Sequence, residues 1–339
     1  MKSIVFREPN RAVLEERDIP SCKKGEVLLK LICSGVCGTD IQVFMGRNKF
    51  MKFPVVPLHE GIAKVCEVSE GVSGLSKGDL VAVRPILNCG VCRSCKNGRE
   101  NACESFTCLG VQTDGLGSEY VTIDRQFVHK ISKGVDLDKA VLIEPFAVGV
   151  HAARRGRVAN QNVMVIGGGT IGNFTAQAAK LLGAKRVAIC DISEDKIRIA
   201  HESGIDCPVN TSGKSFREAS AEAFGDEATD VIIDCVGAKT ILPQILDTAW
   251  KVSTVVIVGN YSEKAEIDVT KIQRNELDVF GCITYTKADF ETAVQFIEED
   301  KVYTKGFITG RYPMSDIQNA MENAVRMRGV NMKTVIEFE

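Results

Sequence analysis

The sequence lacks a long hydrophobic run, a surplus of either charge, internal repeats and low-complexity segments. No stretch approaches the roughly 18–20 apolar residues that span a bilayer. The first ten residues contain no apolar core of a secretory signal, so we expect a cytoplasmic protein with no membrane partner. Forty-two Lys and Arg against 44 Asp and Glu leave a formal net charge of −2. This balance offers no broad electrostatic attraction to nucleic acid, so we expect no nucleic-acid partner.

Cysteine is too scarce for a disulfide-stabilised scaffold, since 13 occur among 339 residues and the number is odd. Both facts indicate a reducing compartment. The length predicts roughly two domains, which can bury a core without disulfides. Hydrophobic residues make up 45% of the chain and charged residues 25%, which is ordinary for a soluble globular protein.

Two patterns divide the chain. Up to about residue 145, short β-branched and apolar segments alternate with glycine turns, which predicts a mostly β domain. Between about 162 and 283, six nearly continuous apolar runs, the early ones separated by helical patterns, predict a doubly wound α/β dinucleotide fold. A strand near the end of the chain can return to the first domain. We therefore predict a discontinuous domain of residues 1–147 and 286–339 and a dinucleotide-binding domain of residues 148–285.

A glycine-rich segment follows the first of these runs and fits the pattern G-x-G-x-x-G. Gly167 would permit a tight turn, Gly169 would let a pyrophosphate approach the backbone, and Gly172 would let the helix pack closely on the strand. Asp191 ends the next predicted strand, where its carboxylate would accept hydrogen bonds from ribose hydroxyls and repel a 2′-phosphate. The pattern therefore predicts NAD rather than NADP, although Lys196 can reach the same ribose.

Other ligands fit part of this pattern. A plain strand–helix turn binds nothing, and flavin or S-adenosylmethionine can occupy a similar fold. If the segment binds NAD, the predicted cofactor residues are Gly167, Gly169, Ile171, Gly172, Asp191 and Lys196.

Four cysteines, Cys89, Cys92, Cys95 and Cys103, cluster in a polar loop. Their close spacing can bring four thiolates to one tetrahedral ion, and a closed four-cysteine set is typical of structural zinc. Four thiolates can also hold an iron–sulfur cluster. Unligated core cysteines are a third interpretation, which the polar neighbours disfavour.

A second, dispersed set of candidate ligands consists of Cys37, His59, Glu60 and Glu144. Each has an ordinary structural interpretation as well: Cys37 can belong to a core, and Glu144 can cap the helix that begins at Pro145. Spacing alone leaves a catalytic metal site and these structural roles equally open.

Together these motifs resemble the zinc-dependent medium-chain dehydrogenase/reductase family over essentially the whole chain. The resemblance lies in GVCGTD at residues 35–40, the His59–Glu60 pair, the four-cysteine loop, the Glu144–Pro145 segment and the glycine-rich turn. Residues 142–155 resemble the polyol and sugar-acid branch, which includes sorbitol, L-threonine and hexonate dehydrogenases.

The resemblance implies a GroES-like, mostly β catalytic domain and a Rossmann NAD-binding domain. It implies a catalytic zinc on Cys37, His59 and either Glu60 or Glu144, a structural zinc on the four cysteines, and Thr39 as the proton acceptor. The resemblance also implies two zinc ions per chain, a secondary alcohol of a polyol, sugar acid or sugar phosphate as substrate, NAD as the hydride acceptor, and a homodimer or homotetramer. An L-threonine-type amino-alcohol dehydrogenase and a non-catalytic zinc- and NAD-binding protein are the alternatives.

Two positions depart from the family pattern. Leu58 stands where the family usually has glycine before the histidine, which should reshape the turn that presents His59 without removing the ligand. Gln42 stands where a relay histidine is common. Because glutamine cannot accept and release a proton usefully, the last relay step would run through water.

Overall fold

The computed structural model describes residues 1–327 and 329–338, which form two compact units. The first unit comprises Met1–Glu144, Thr286–Asp300 and Thr304–Glu339, and the second comprises Pro145–Tyr285 and Lys301–Tyr303. The predicted boundary after residue 147 lies beyond Glu144, and the short segment Lys301–Tyr303 joins the second unit. The functional division into two domains stays a prediction.

The elements are numbered in chain order. The strands are β1 (Lys2–Glu8), β2 (Arg11–Glu16), β3 (Glu26–Val36), β4 (Glu60–Val68), β5 (Leu80–Val83), β6 (Ile86–Leu87), β7 (Thr107–Cys108), β8 (Tyr120–Asp124), β9 (Val128–Ile131), β10 (Asn162–Ile166), β11 (Arg186–Asp191), β12 (Cys207–Asn210), β13 (Val231–Asp234), β14 (Thr254–Ile257), β15 (Asp278–Gly281), β16 (Ile308–Pro313) and β17 (Lys333–Glu337).

The helices are α1 (Gly38–Phe44), α2 (Arg93–Lys96), α3 (Leu137–Ala140), α4 (Ile143–Gly156), α5 (Thr170–Leu181), α6 (Glu194–Glu202), α7 (Phe216–Phe224), α8 (Ile241–Thr248), α9 (Val269–Arg274), α10 (Lys287–Glu298) and α11 (Ile317–Arg326). Short 3-10 turns cover Glu100–Ala102, Arg125–Phe127 and Met314–Asp316. None of the helices in the described part of the chain is long and apolar enough to cross a bilayer.

The first unit is built on a seven-stranded sheet in the order β16-β17-β3-β4-β5-β9, with β8 also paired to β3. In β3 the side chains alternate between buried and half-buried until its last residues, which are all buried. That change marks the end of the strand that leads into Cys37. The terminal strand β17 runs antiparallel to β3, so the tail returns to this sheet.

The second unit contains a six-stranded parallel sheet in the order β12-β11-β10-β13-β14-β15. Counted within the unit, this is the doubly wound order third, second, first, fourth, fifth and sixth. All residues of β10 and β13 are buried, as strands covered by helices on both faces require. The predicted fold class, a mostly β unit and a Rossmann-type unit, is confirmed.

Candidate metal centre and cofactor site

Sheet register brings three of the dispersed candidate ligands together. Cys37 follows β3 directly, and His59 precedes β4, whose first residue is Glu60. The two strands are antiparallel neighbours, with Gly35 opposite Glu60, so the end of one strand meets the start of the other. As a result, one ligand atom each from Cys37, His59 and Glu60 lies within 4.8 Å of the others. Sulfur, imidazole nitrogen and carboxylate oxygen are the donors that zinc takes in proteins, so this group fits that ion.

Glu144 lies outside this close group of candidate ligand atoms. Glu144 is half-buried in the first turn of α4, and it is not among the described residues whose ligand atoms meet within 4.8 Å. Thr39 is half-buried in the first turn of α1, two residues beyond Cys37. The choice between Glu60 and Glu144 as metal ligand and the role of Thr39 stay predictions.

Asp40, which is absent from the predicted site residues, supports the group. It is fully buried, and its carboxylate accepts the N–H of Cys37 at 2.8 Å and the N–H of Leu58 at 3.1 Å. Its Oδ1 lies 3.6 Å from Nδ1 of His59. Asp40 therefore ties both segments that carry ligands, and it leaves Nε2 of the imidazole for a metal ion.

Asp40 and His59 each stabilise the charged form of the other residue. Burial alone would raise the pKa of Asp40, but His59 and the two N–H donors outweigh it and lower that pKa. Burial alone would lower the pKa of His59, but the Asp40 carboxylate raises it well above its ordinary value. A metal ion must displace the imidazole proton to bind, so protons compete with metal at this site.

Leu58 adopts a backbone conformation that glycine takes freely. Its φ is 73°, in the left-handed region, and its side chain is completely buried. The N–H bond to Asp40 and the bond from the N–H of Leu116 to its carbonyl oxygen, at 2.8 Å, hold this conformation. Leu58 therefore takes the backbone conformation that a glycine would take at this position, and the candidate ligand His59 stays in the group.

The second missed residue is Lys333. It is buried at the start of β17, and its Nζ lies 2.6 Å and 2.7 Å from the two carboxylate oxygens of Glu60. Burial alone would lower the pKa of this lysine, but Glu60 and Cys37 raise it. Lysine at the beginning of a strand is ordinarily exposed, so no signal in the sequence marked it.

The four clustered cysteines converge as predicted from their spacing. Their sulfur atoms lie within 4.8 Å of one another, with Cys103 Sγ 3.5 Å from Cys89 Sγ and 3.9 Å from Cys92 Sγ. Four sulfurs each about 2.3 Å from one tetrahedral ion would lie roughly 3.8 Å apart. None of the 13 cysteines forms a disulfide in the part of the chain that the structure describes. The separations fit a single zinc ion better than an iron–sulfur cluster, whose several atoms need wider spacing.

Backbone N–H groups favour thiolates in this loop. The N–H groups of Cys95 and Glu104 lower the pKa of Cys92 to about 6. Further N–H groups point at the other sulfurs, from Cys92 to Cys89 Sγ at 3.3 Å and from Ser105 to Cys103 Sγ at 3.3 Å. Because metal binding requires the thiolate form, the loop backbone prepares Cys89 and Cys92 as ligands, whereas burial and the neighbouring Cys92 raise the pKa of Cys95 to about 12.

The glycine-rich turn joins β10 to α5. Gly167 has a φ of 100°, and a Cβ at Gly172 would lie 1.7 Å from the carbonyl oxygen of Gly167, so both positions require glycine. A Cβ at Gly169 would meet nothing within 4 Å, which leaves open space beside the helix N-terminus. A pyrophosphate fits such a cradle. Ile171 is half-buried in the first turn of the helix.

Asp191 ends β11 beside this turn. Its Oδ2 accepts the N–H of Gly168 at 2.7 Å, and its Oδ1 accepts the N–H of Ser193 at 2.9 Å. Nζ of Lys196 lies 3.6 Å from the same Oδ2. The carboxylate and the ammonium group therefore stand together beside the turn, at the position that the sequence predicts for the ribose.

Another carboxylate organises the neighbouring turn. Asp234, at the end of β13, is fully buried and accepts the N–H groups of Val236 and Gly237 at 2.9 Å and 3.2 Å. The hydroxyl of Tyr261 donates to its other oxygen at 2.6 Å. Asp234 is absent from the predicted site residues because it ends a strand without a glycine-rich motif.

Comparison with known proteins identifies the family. The alcohol dehydrogenase GroES-like domain matches residues 23–133, and the zinc-binding dehydrogenase domain matches residues 170–299. L-galactonate-5-dehydrogenase of Escherichia coli is 30% identical over 100% of this chain and 99% of its own length. Sorbitol dehydrogenase of Bacillus subtilis is 28% identical over 99% of this chain and 97% of its own.

Solved structures agree with these matches. An alcohol dehydrogenase of Escherichia coli named RspB, in complex with NADH, has a TM-score of 0.92 at 30% identity and covers 100% of this chain and 99% of its own. Galactitol-1-phosphate dehydrogenase of Escherichia coli has a TM-score of 0.91 at 28% identity, with 99% and 100% covered. The chain belongs to the zinc-dependent medium-chain dehydrogenase/reductase family, in its polyol and sugar-acid dehydrogenase branch, and is a nicotinamide-dependent dehydrogenase acting on CH–OH groups.

Proposed function

We propose that the enzyme oxidises a secondary alcohol of a polyol, sugar acid or sugar phosphate to the ketone and transfers the hydride to NAD. The observation that carries this proposal is the convergence of Cys37, His59 and Glu60, whose ligand atoms lie within 4.8 Å of one another. A zinc ion held there would supply the Lewis acidity that lowers the pKa of the substrate hydroxyl.

The chain's own residues orient the reaction and move its proton. Thr39 lies two residues beyond Cys37 and accepts the proton of the substrate hydroxyl. Asp40 keeps His59 in one orientation. Gln42 has no titratable proton, so the proton continues through the cofactor ribose or solvent. Glu144 stays the second candidate for the third metal ligand.

Asp191 supports the preference for NAD over NADP. Its carboxylate is fixed beside Gly168, where it can accept hydrogen bonds from ribose hydroxyls and repels a 2′-phosphate. Nζ of Lys196 lies 3.6 Å from that carboxylate and offsets part of its charge. NAD, once bound, accepts the hydride.

The proposal extends to the metal content, the location and the oligomeric state of the protein. The sulfur separations in the four-cysteine loop support a structural zinc, which makes two zinc ions per chain. Cysteines that form no disulfide among the described residues support a reducing, cytoplasmic location. A homodimer or homotetramer follows from the family resemblance.

A substrate panel tests the function. Polyols, aldonates, sugar phosphates and L-threonine are assayed with NAD and with NADP, before and after removal and return of zinc. We expect zinc-dependent turnover of at least one polyol, aldonate or sugar phosphate with NAD. Turnover of L-threonine alone would move the substrate to the amino alcohols. NADH binding without any zinc-dependent rate would make the protein a binder rather than an enzyme.

A further inference from the structure

A buried cation holds both oxygens of a candidate metal ligand. Lys333 exposes only 4% of its side chain. Its Nζ contacts Oε1 of Glu60 at 2.6 Å and Oε2 at 2.7 Å, and lies 3.3 Å from the carbonyl oxygen of Val36. Charge-assisted bonds of this length are strong in a buried setting, so the carboxylate is held firmly in one orientation.

The ion pair crosses a whole strand of the sheet. Gly35 of β3 pairs with Glu60 of β4 on one side and with Val335 of β17 on the other. A Cβ at Gly35 would lie 1.9 Å from Oε2 of Glu60 and 3.2 Å from Cδ of Lys333. The absence of a side chain at Gly35 therefore provides the space through which the two side chains meet.

The same carboxylate belongs to the metal-ligating group. An oxygen of Glu60 lies within 4.8 Å of the ligand atoms of Cys37 and His59. A metal ion bound by those two residues must share Glu60 with the ammonium group. Since the ammonium repels a second cation and already occupies lone pairs on both oxygens, it weakens any bond from Glu60 to the metal.

We propose that Lys333 is a positioning residue that makes Glu60 a releasable metal ligand. This inference rests on the proposed function, which places zinc at Cys37 and His59. The ammonium group of Lys333 binds the Glu60 carboxylate when the carboxylate leaves the metal. A coordination position then opens for the substrate hydroxyl. Lys333 therefore favours turnover and weakens zinc retention, whereas a purely structural anchor would support both.

Zinc release from the holoenzyme tests this inference, with the chelator 4-(2-pyridylazo)resorcinol as the probe. The release phase that is absent from Cys37→Ser identifies the catalytic-site zinc. We expect Lys333→Met and Lys333→Gln to release that zinc about tenfold more slowly and to lower kcat about tenfold, the scale of effects from residues that support ligands. Lys333→Arg restores the charge and should stay near the unmodified values for both measurements.

Arg311→Met is the matched control. Arg311 lies on the neighbouring strand β16, where it pairs with Asp138 and Glu337 and exposes 39% of its side chain. Its loss removes two ion pairs at the same sheet and leaves the metal-ligating group unchanged. We expect its zinc release and kcat to match those of the unmodified protein.

Faster or unchanged zinc release in the Lys333→Gln variant would overturn the inference. If Lys333→Met does not fold, Lys333→Gln decides the test, and failure of both to fold would show a structural anchor and overturn the inference as well. If a Cys37-dependent zinc is present but its release rate is unchanged in the Lys333 variants, this inference alone is contradicted. A holoenzyme without any Cys37-dependent zinc contradicts the proposed function and this inference with it.

Discussion

The two groups of metal-ligating residues are built in opposite ways. The four cysteines lie between residues 89 and 103, in a loop that contains only a short helix and a 3-10 turn, and Cys89 is exposed. The other group joins residue 37 to residues 59 and 60 through the pairing of β3 with β4, and its His59 and Glu60 are buried. One group is local and the other is assembled by the sheet.

The groups also differ in what holds their ligands. Backbone N–H groups of the loop point at the cysteine sulfurs, so the loop needs little outside help. The assembled group depends on buried side chains, Asp40 beside His59 and Lys333 on Glu60. Four equal sulfur donors close a coordination shell, whereas three mixed donors leave a position for substrate. The difference predicts stability from the first group and turnover from the second.

The largest expected effect is on turnover at the assembled group. Cys37→Ala removes one of the proposed zinc ligands, and loss of Lewis acidity worth several kcal/mol should lower kcat by about 10³-fold or more. Steady-state kinetics on the best substrate of the panel measures this. The folded state should persist by circular dichroism, because the core does not depend on that thiol. Turnover within tenfold of normal would remove metal from the mechanism.

The next effect separates the two glutamates of the assembled group. If Glu60 is the resting ligand, Glu60→Gln should weaken zinc retention most, while Glu144→Gln should mainly lower kcat, each by about 10–100-fold. Zinc content after dialysis and kcat are measured on both variants. The reverse ordering would make Glu144 the ligand. Normal zinc content and turnover in both variants would leave Glu144 as a helix cap and Glu60 as the partner of Lys333.

The cofactor site is intermediate between the local and the assembled metal groups. Two local motifs, the glycine-rich turn after β10 and Asp191 at the end of β11, meet on adjacent strands. Asp191→Ala should raise KM for NAD about tenfold or more, since a charged acceptor of ribose hydrogen bonds contributes about 1.5–3 kcal/mol. The preference for NAD over NADP should narrow accordingly. Equal kcat/KM for NAD and NADP in the unmodified protein would contradict the role of Asp191 in selecting NAD.

The smallest effect should come from the residue that supports His59. Asp40→Asn removes the charge beside the imidazole and keeps one acceptor oxygen, which can serve only one of the N–H groups of Cys37 and Leu58. Zinc affinity at the assembled group should fall about tenfold, near the low end for such partners, while the four-cysteine loop keeps its zinc. Competition with a chelator measures the change. Equal loss from both sites would indicate general destabilisation instead.

Sequence reasoning succeeded where a motif is local. The four cysteines and the glycine turn could be predicted because their spacing is fixed over a few residues, and the buried runs of β10 and β13 predicted the parallel sheet. Asp40 could have been noticed, since it follows Cys37 by one helical turn, where a carboxylate reaches back to a helix N-terminus. Lys333 could not, because its contact with Glu60 exists only through the pairing of three strands.

Metal analysis of three purified proteins tests the central claim, that a local and an assembled zinc site coexist in one chain. We expect about two zinc ions per chain in the unmodified protein and about one in each of Cys37→Ala and Cys95→Ala, which remove a ligand from different groups. A single zinc that survives Cys37→Ala and disappears in Cys95→Ala would contradict the assembled site. Iron with a visible absorption band in place of the second zinc would contradict the assignment of the four-cysteine loop.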